Sequence, residues 1–148
     1  MIGLLQRVSE ARVVVDGTVI AAIGRGLLVL VGVEAGDAEA QADRLLERLL
    51  GYRVFPDERG RMNRSLREVA GGLLLVPQFT LAADTAKGAR PSFSAAATPE
   101  VGAALFEYLL RQAAAHSPGV ASGRFGSDMQ VALVNEGPVT FWLRVAPS

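Results

Sequence analysis

The sequence predicts an α+β fold: a single compact domain, residues 1–148, with a curved, barrel-like mixed β-sheet and two main α-helices. Three observations predict it. β-type apolar segments open and close the chain and recur in its middle, whereas two other segments repeat apolar residues at helical spacing. The 148 residues, half of them apolar, contain no linker, repeat or low-complexity tract and suit one domain with a sizeable core.

The elements follow in order. Leu4, Leu5, Val8, Val13, Val14, Val15, Val19 and Ile20 flank Asp16-Gly17, a dipeptide whose tolerance of positive φ suits a tight hairpin. The continuous apolar run Gly26 to Val33 is expected for a strand buried on both faces. Asp37 is the expected N-cap of a helix over about residues 38 to 50, with Ala42, Leu45, Leu46, Leu49 and Leu50 on one face and Gly51 as its stop. Tyr52 to Phe55 reads as a short strand that Pro56-Asp57 turns into an arginine-bearing stretch. Gly71-Gly72 then introduces β-type residues Leu73 to Leu81. Residues 82 to 97 carry no periodicity, and a loop of that length in a small domain is usually functional or mobile. A second helix starts at Thr98-Pro99 and runs to about Ala115, with Val101, Leu105, Tyr108 and Leu109 as its buried stripe. The remaining strands are Val120 to Phe125, Met129 to Val134 and Val139 to Val145. So much sheet in a short chain leaves edges exposed, and pairing with a second copy is one way to cover them.

Composition narrows the chemistry. With no cysteine and one histidine, the chain has no disulfide framework, thiolate cluster, cysteine nucleophile or multi-histidine zinc site. His116 falls in a last helical turn and reads as a surface residue. No apolar run is long enough for a membrane span and no signal-type start is present, so a soluble cytoplasmic protein is expected. The 15 basic and 15 acidic groups cancel, which argues against a uniformly positive nucleic-acid surface. Locally, Arg53, Arg59, Arg61, Arg64, Arg67, Lys87 and Arg90 outnumber the acids between residues 53 and 90; on charge alone this is a solvated loop. There is no G-x-S-x-G motif, Walker loop or G-x-G-x-x-G opening a helix, and Gly24-Arg25-Gly26 is a turn.

Two segments stand out. Pro77-Gln78-Phe79-Thr80-Leu81 ends an apolar strand just before the long loop. It is either an ordinary polar strand terminus or a site where the Gln78 amide, the Thr80 hydroxyl and free backbone N–H groups face a carbonyl oxygen. Asn135-Glu136-Gly137-Pro138-Val139-Thr140 lies between two strands and, on spacing alone, is a turn. A cis Gly137-Pro138 bond would instead present successive carbonyls as a rigid acceptor surface.

Together these motifs resemble the bacterial D-aminoacyl-tRNA deacylases of the D-tyrosyl-tRNA deacylase family. The resemblance runs from Met1-Ile2 and Gln6-Arg7-Val8 through Gly26 to Leu30, Gly51-Tyr52-Arg53, Gln78 to Asp84 and Arg90-Pro91-Ser92-Phe93. It continues with Gly123 to Gly126, Asp128 to Val131, Asn135, Gly137 to Thr140 and Phe141-Trp142. Two family signatures, S-Q-F-T-L and N-x-G-P-V-T, keep their order and spacing, except that Pro77 replaces the first serine.

The resemblance implies hydrolysis of the ester between a D-amino acid and the terminal adenosine of tRNA, and also removal of glycine from mischarged tRNA. It implies a homodimer in which the Gly-cisPro loop of one chain, Gly137 and Pro138, enters the other chain's pocket at Gln78, Phe79 and Thr80. Carbonyls there would block an L side chain while binding the amino group. The backbone N–H groups of Phe79 and Thr80 would stabilise the oxyanion, with Thr80 supporting the pocket and the terminal ribose 2′-hydroxyl helping to activate water. Phe125 and Met129 match positions on the adenosine side; from residue type alone they suit core packing equally well. No metal or cofactor is implied, and Arg59, Arg61, Arg64 and Lys87 are candidates for tRNA contact on charge. The alternative to an enzyme is a catalytically impaired tRNA- or nucleotide-binding homologue, with Pro77 as its marker.

Overall fold

A computed structural model describes residues 1–148. β1 (Ile2–Val15) turns at Asp16 and Gly17, with φ of 49° and 77°, into β2 (Thr18–Ile23). Positive φ at both turn residues matches the twist of the flanking strands, as the Asp-Gly pair predicts. β3 (Gly26–Gly32) returns antiparallel to the first half of β1, from Val8 opposite Gly26 to Ile2 opposite Gly32. After α1 (Glu39–Gly51) comes a small hairpin of β4 (Phe55–Pro56) and β5 (Met62–Arg64), then α2 (Leu66–Val69) and β6 (Gly72–Pro77). A 3₁₀ turn (Phe79–Ala82) and an irregular segment lead to α3 (Pro99–His116), β7 (Val120–Ser122) and β8 (Gln130–Arg144). β3, β6 and β7 are mutually parallel neighbours, while β8 is antiparallel to β1 along its other edge.

The six-stranded sheet curls into a nearly closed mixed barrel with helices outside. Alternation along its strands divides the apolar residues between two cores. Leu27, Val29 and Val31 of β3 and Leu73 and Leu75 of β6 face Leu45 and Leu49 of α1 and Leu105, Phe106 and Leu109 of α3. The intervening Leu28, Leu74 and Val76 point the other way, into a smaller interior cluster with Val8, Ala11, Val13 and Val15. This two-sided burial explains the uninterrupted apolar run of β3. At the start of that run, a Cβ on Gly26 would fall 1.9 Å from the Gly72 carbonyl oxygen, so this crossing admits only glycine.

Several expectations are corrected. Ala38, not Asp37, is the N-cap of α1; its N–H donates to Gln41 Oε1 at 2.8 Å, and Gly51 belongs to the last helical turn. The strand expected over Tyr52 to Phe55 is confined to Phe55–Pro56, because the arginine-bearing stretch folds back as β5. Besides the two long helices there is a short third, α2, signalled by a capping box in which Ser65 and Glu68 bond reciprocally. β6 ends at Pro77, and residues to Leu81 turn away as the 3₁₀ segment. Val101 of α3 faces solvent while Gly102, Phe106 and Ala113 are buried with Leu105 and Leu109; Tyr108 is half-buried and donates to Asp43 of α1 at 2.8 Å. His116 is exposed, as expected.

The largest correction concerns the C-terminal strands. The strand expected over Val120 to Phe125 stops at Ser122, and Met129 to Val134 and Val139 to Val145 form no hairpin. Both halves belong to β8 and pair with the same strand, β1. Asn135 lies opposite Val8 and Thr140 opposite Gln6, so the intervening residues bulge out without ladder partners. The Gly137–Pro138 bond in this bulge is cis.

A charge cluster fastens the two ends of the sheet. The Met1 ammonium, fully buried, donates to Asp37 Oδ1 at 2.8 Å, Glu34 Oε2 at 3.1 Å and the Val145 carbonyl at 2.6 Å. Arg144 grips both oxygens of Glu34 at 3.0–3.1 Å, and Asp37 Oδ2 accepts the Glu34 N–H. This duty displaces Asp37 from its expected cap role. Burial pushes the Glu34 carboxyl up, but hydrogen bonds from Arg144 and the ammonium, together with their charges, outweigh it and hold the group below its ordinary value. A lowered folded pKa stabilises above the unfolded pKa and is lost as pH falls through the folded value. We expect Glu34→Gln to cost about 2 kcal/mol at neutral pH, less than the ~3–5 kcal/mol of breaking a fully buried pair. Urea unfolding at neutral pH and at about pH 3 checks this: the gap between wild type and variant narrows in acid.

Candidate active site

The C-terminal ends of the parallel strands β3 and β6 open into a cavity of about 490 Å³. Its floor is Val31, Val33 and Val76; Thr98, Pro99, Gly102 and Phe106 of the α3 end form one wall, and Phe125 to Met129, between β7 and β8, the other. Pro77, Gln78 and Phe79 line the rim between them. Crevices beyond the carboxyl ends of parallel strands are common ligand sites, because the chain turns away there and leaves backbone groups free.

The 3₁₀ turn supplies such groups. Gln78 is anchored by its N–H to the Val31 carbonyl at 2.7 Å, and its own carbonyl accepts from Leu81 at 3.2 Å as the first bond of the turn. The N–H groups of Phe79 and Thr80 precede that bond and make no hydrogen bond within the chain. The Gln78 amide donates to the Thr80 hydroxyl oxygen. The side-chain hydrogen bond of the Thr80 hydroxyl is therefore to an amide, which is not a base. Thr80 is exposed and lies outside the cavity lining.

Close packing fixes the turn. A Cβ on Gly32 would sit 2.9 Å from Leu81 Cβ and 3.2 Å from the Gln78 carbonyl oxygen. On the opposite wall, the Met129 sulfur accepts from the Arg124 N–H at 3.4 Å and lies over Gly123, where a Cβ would approach it to 2.8 Å. Phe125 rests on α3 at Gly102. Phe125 is exposed and belongs to neither core, whereas Met129 is half-buried and both lines the cavity and packs against the smaller core.

Pro77 fits its place. Gly72 and Gln78 donate to Arg25 and Val31 on the β3 side, whereas Leu73 donates to Gly119 on the β7 side. Alternation sends the donor that Pro77 lacks to the β7 side, one step past the bond from the Gly123 N–H to the Leu75 carbonyl at 2.8 Å. The proline therefore ends the β6–β7 ladder and leaves the β3 side intact, where Gln78 still donates to Val31.

Gly137 and Pro138 do not line this cavity. They are exposed on the β8 bulge, which Arg7 and Asn135 hold. Asn135 Nδ2 donates to the carbonyls of Arg7 and Val139 at 3.1 and 3.0 Å; Arg7 donates to those of Glu136 and Val54 at 3.0 and 2.7 Å. A Cβ on Gly137 would fall 2.2 Å from Asn135 Oδ1. Of the basic candidates, Arg64 pairs with Glu58, while Arg59 and Arg61 are exposed on the β4–β5 hairpin. Asp57 organises that hairpin by accepting from the Asn63 side chain and the Arg61 and Arg59 N–H groups, bonds that hold its carboxyl below the ordinary range.

Sequence reasoning missed the contribution of α3 and of Ser127 and Asp128 to the cavity, and it gave Phe93 no role. Phe93 packs against Phe79 with ring centroids 5.2 Å apart. Its signal was its place in the Arg90-Pro91-Ser92-Phe93 motif.

Fold and cavity together define a small α+β protein with an open cavity at the ends of two parallel strands. The model of the D-Tyr-tRNA(Tyr) deacylase family matches residues 4–144. A D-aminoacyl-tRNA deacylase of Alkalilimnicola ehrlichii is 66% identical over 148 residues, all of this chain and 99% of that protein. One of Pseudomonas putida is 66% identical over 145 residues, 98% of this chain and all of that protein. Among solved structures, the c-Myc DNA unwinding element binding protein superposes with a TM-score of 0.94 at 35% identity, covering 99% of both chains. A probable eukaryotic D-amino acid tRNA deacylase shares the fold, with a TM-score of 0.82 at 20% identity over 96% of this chain and 97% of that one. The chain belongs to the D-Tyr-tRNA(Tyr) deacylase family and is an enzyme of it, an ester hydrolase.

The Gly32 contact is testable by itself. Gly32→Ala forces the 3₁₀ turn away from β3, an overpacking that costs about 1–3 kcal/mol. Urea unfolding measures the loss, and amide exchange at Leu81 and Ala83 accelerates in the variant.

Proposed function

We propose that the protein hydrolyses the ester joining a D-amino acid, or glycine, to the terminal adenosine of tRNA, and that it does so as a homodimer with a shared site. The observation that carries this proposal is the pair of unpartnered N–H groups at Phe79, on the rim of the cavity, and at Thr80, the next residue of the turn. Two such donors suit a carbonyl oxygen that becomes an oxyanion, and a contact of this kind is typically worth about 3–4 kcal/mol. Gln78 positions them through Val31, and Phe125 and Met129 are the walls against which the adenosine rests.

Thr80 is a supporting group in this scheme. Its partner is the Gln78 amide, so activation of water falls to the 2′-hydroxyl of the terminal ribose. Chiral rejection comes from the Gly137 and Pro138 carbonyls of the second subunit, which exclude an L side chain by clash and accept the amino group. Support comes from the bulge itself: it is exposed and does not line its own cavity, and Arg7 and Asn135 engage the Glu136 and Val139 carbonyls but not these two. The outer edge of β8 carries no strand and exposes Val134 and Trp142, a surface suited to a second copy. Glycine has no side chain to exclude and passes the same filter. Pro77 leaves the Gln78 anchor to Val31 in place, and so gives no ground for reading the chain as an impaired homologue.

A deacylation time course on tRNA carrying D-tyrosine, L-tyrosine or glycine tests the proposal. Wild type releases D-tyrosine and glycine and spares L-tyrosine, and Gly137→Ala slows release of D-tyrosine. Equal cleavage of the D and L esters overturns chiral exclusion. A second measurement separates the mechanisms. A tRNA ending in 2′-deoxyadenosine loses at least about a hundredfold in rate, the scale of general acid–base assistance, while Thr80→Ala stays within about tenfold of wild type. The reverse pattern makes Thr80 the nucleophile.

A further inference from the structure

We propose that Phe93, outside the cavity, stacks a base on the 5′ side of the terminal adenosine, and that Lys87 and Arg90 hold its phosphate. This rests on the deacylase function proposed above and extends the same site along single-stranded RNA. Phe79 and Phe93 are in contact, yet they remain 58% and 44% exposed. Phe79 lines the cavity and Phe93 does not, so the pair forms a step leading outward from the rim. Solvent-facing aromatic rings beside cations are the recurring means of holding single-stranded nucleic acid.

The ring is presented by a braced segment. Asp84 and Ser92 exchange N–H···O bonds of 2.7 and 2.9 Å, closing a loop that contains Lys87 and Arg90. Beyond Phe93, Ala95 accepts from Ala35 at 2.9 Å and Ala97 donates to Val33 at 3.0 Å, which fastens the return leg to the extension of β3. Charge selects the occupant. Residues 85–99 contain Lys87 and Arg90 and no acid, neither cation forms an ion pair, and Asp84 is turned onto the Ala86 N–H at 2.9 Å. A polyanion with flat bases fits this surface, whereas an apolar protein partner would strand both cations.

The test is steady-state hydrolysis of D-tyrosyl-tRNA by wild type, Phe93→Ala, Phe93→Tyr and Lys87→Ala/Arg90→Ala, with the trinucleotide C-C-A and adenosine 5′-monophosphate as inhibitors. Phe93→Ala raises KM about tenfold, the scale of one lost base–aromatic stack, with the effect on KM and not on kcat. Phe93→Tyr, which keeps the ring, restores KM. The trinucleotide inhibits wild type more tightly than the monophosphate, and Phe93→Ala abolishes that difference. The double cation variant weakens the dependence of KM on salt. Hydrolysis by wild type with no preference for the trinucleotide, or an unchanged KM in folded Phe93→Ala, overturns the stacking proposal alone. Absence of hydrolysis by wild type overturns the deacylase function on which it rests.

Discussion

Each part of the site is placed by a strand pairing that leads back to β1. One edge of this strand is shared between β3 and β2, and the other is taken over its whole length by β8. β3 in turn carries β6, whose end bears the Gln78 to Thr80 turn, while β8 carries both the Met129 end and the Asn135 to Thr140 bulge. Because β1 fixes both strands in register, it sets the spacing between the cavity and the exposed carbonyls. The Met1 cluster secures the corner where these pairings begin, joining the β3–α1 connection to the end of β8 through Glu34, Asp37 and Arg144.

Much of the fold was legible because it depends on local pattern. Asp16-Gly17 can make a two-residue turn in almost any context, and the five apolar positions of α1 define one face without knowledge of what covers it. The run from Gly26 to Val33 showed burial on both sides, though not that its two faces belong to different cores. Errors gathered where a distant group overrode a local preference. Asp37 is a good cap by type, but the Met1 ammonium offers it a buried charge partner that no neighbouring residue reveals. Val101 shares a helical stripe with Leu105 and Leu109, but it lies in the first turn of α3 and stays exposed while the later members of the stripe are buried.

The β8 bulge is the clearest case. Asparagine, glycine and proline between two apolar segments signal a change of direction, and by composition a hairpin turn is the simplest form. Here the chain resumes its course beside the same partner. What holds the bulge is the fork of Arg7 and the amide of Asn135, one of them supplied from a strand more than a hundred residues away. Gln78 was visible as a residue, but the two free N–H groups after it were not, since they depend on β6 ending at Pro77 and turning into a 3₁₀ segment over Gly32.

The lack of cysteine and the single histidine looked at first like a shortage of chemistry. In the proposed reaction the working groups are main-chain N–H and C=O, which every residue carries and which composition cannot count. Their use requires only that particular ones be left unpaired at defined positions, and the residues that achieve this are inert by type. Gly32 lets the turn lie flat on β3, Pro77 ends the β6–β7 ladder and leaves the β3 side intact, and Gly137 fits against the Asn135 side chain where a Cβ has no room. Such positions are sensitive to a single added methyl group, although none of them carries a reactive atom in its side chain. Zero net charge fits the same economy: in the proposed reading one charged end of the ligand is recognised, which needs a local group of cations such as Lys87 and Arg90 and not a uniformly basic surface.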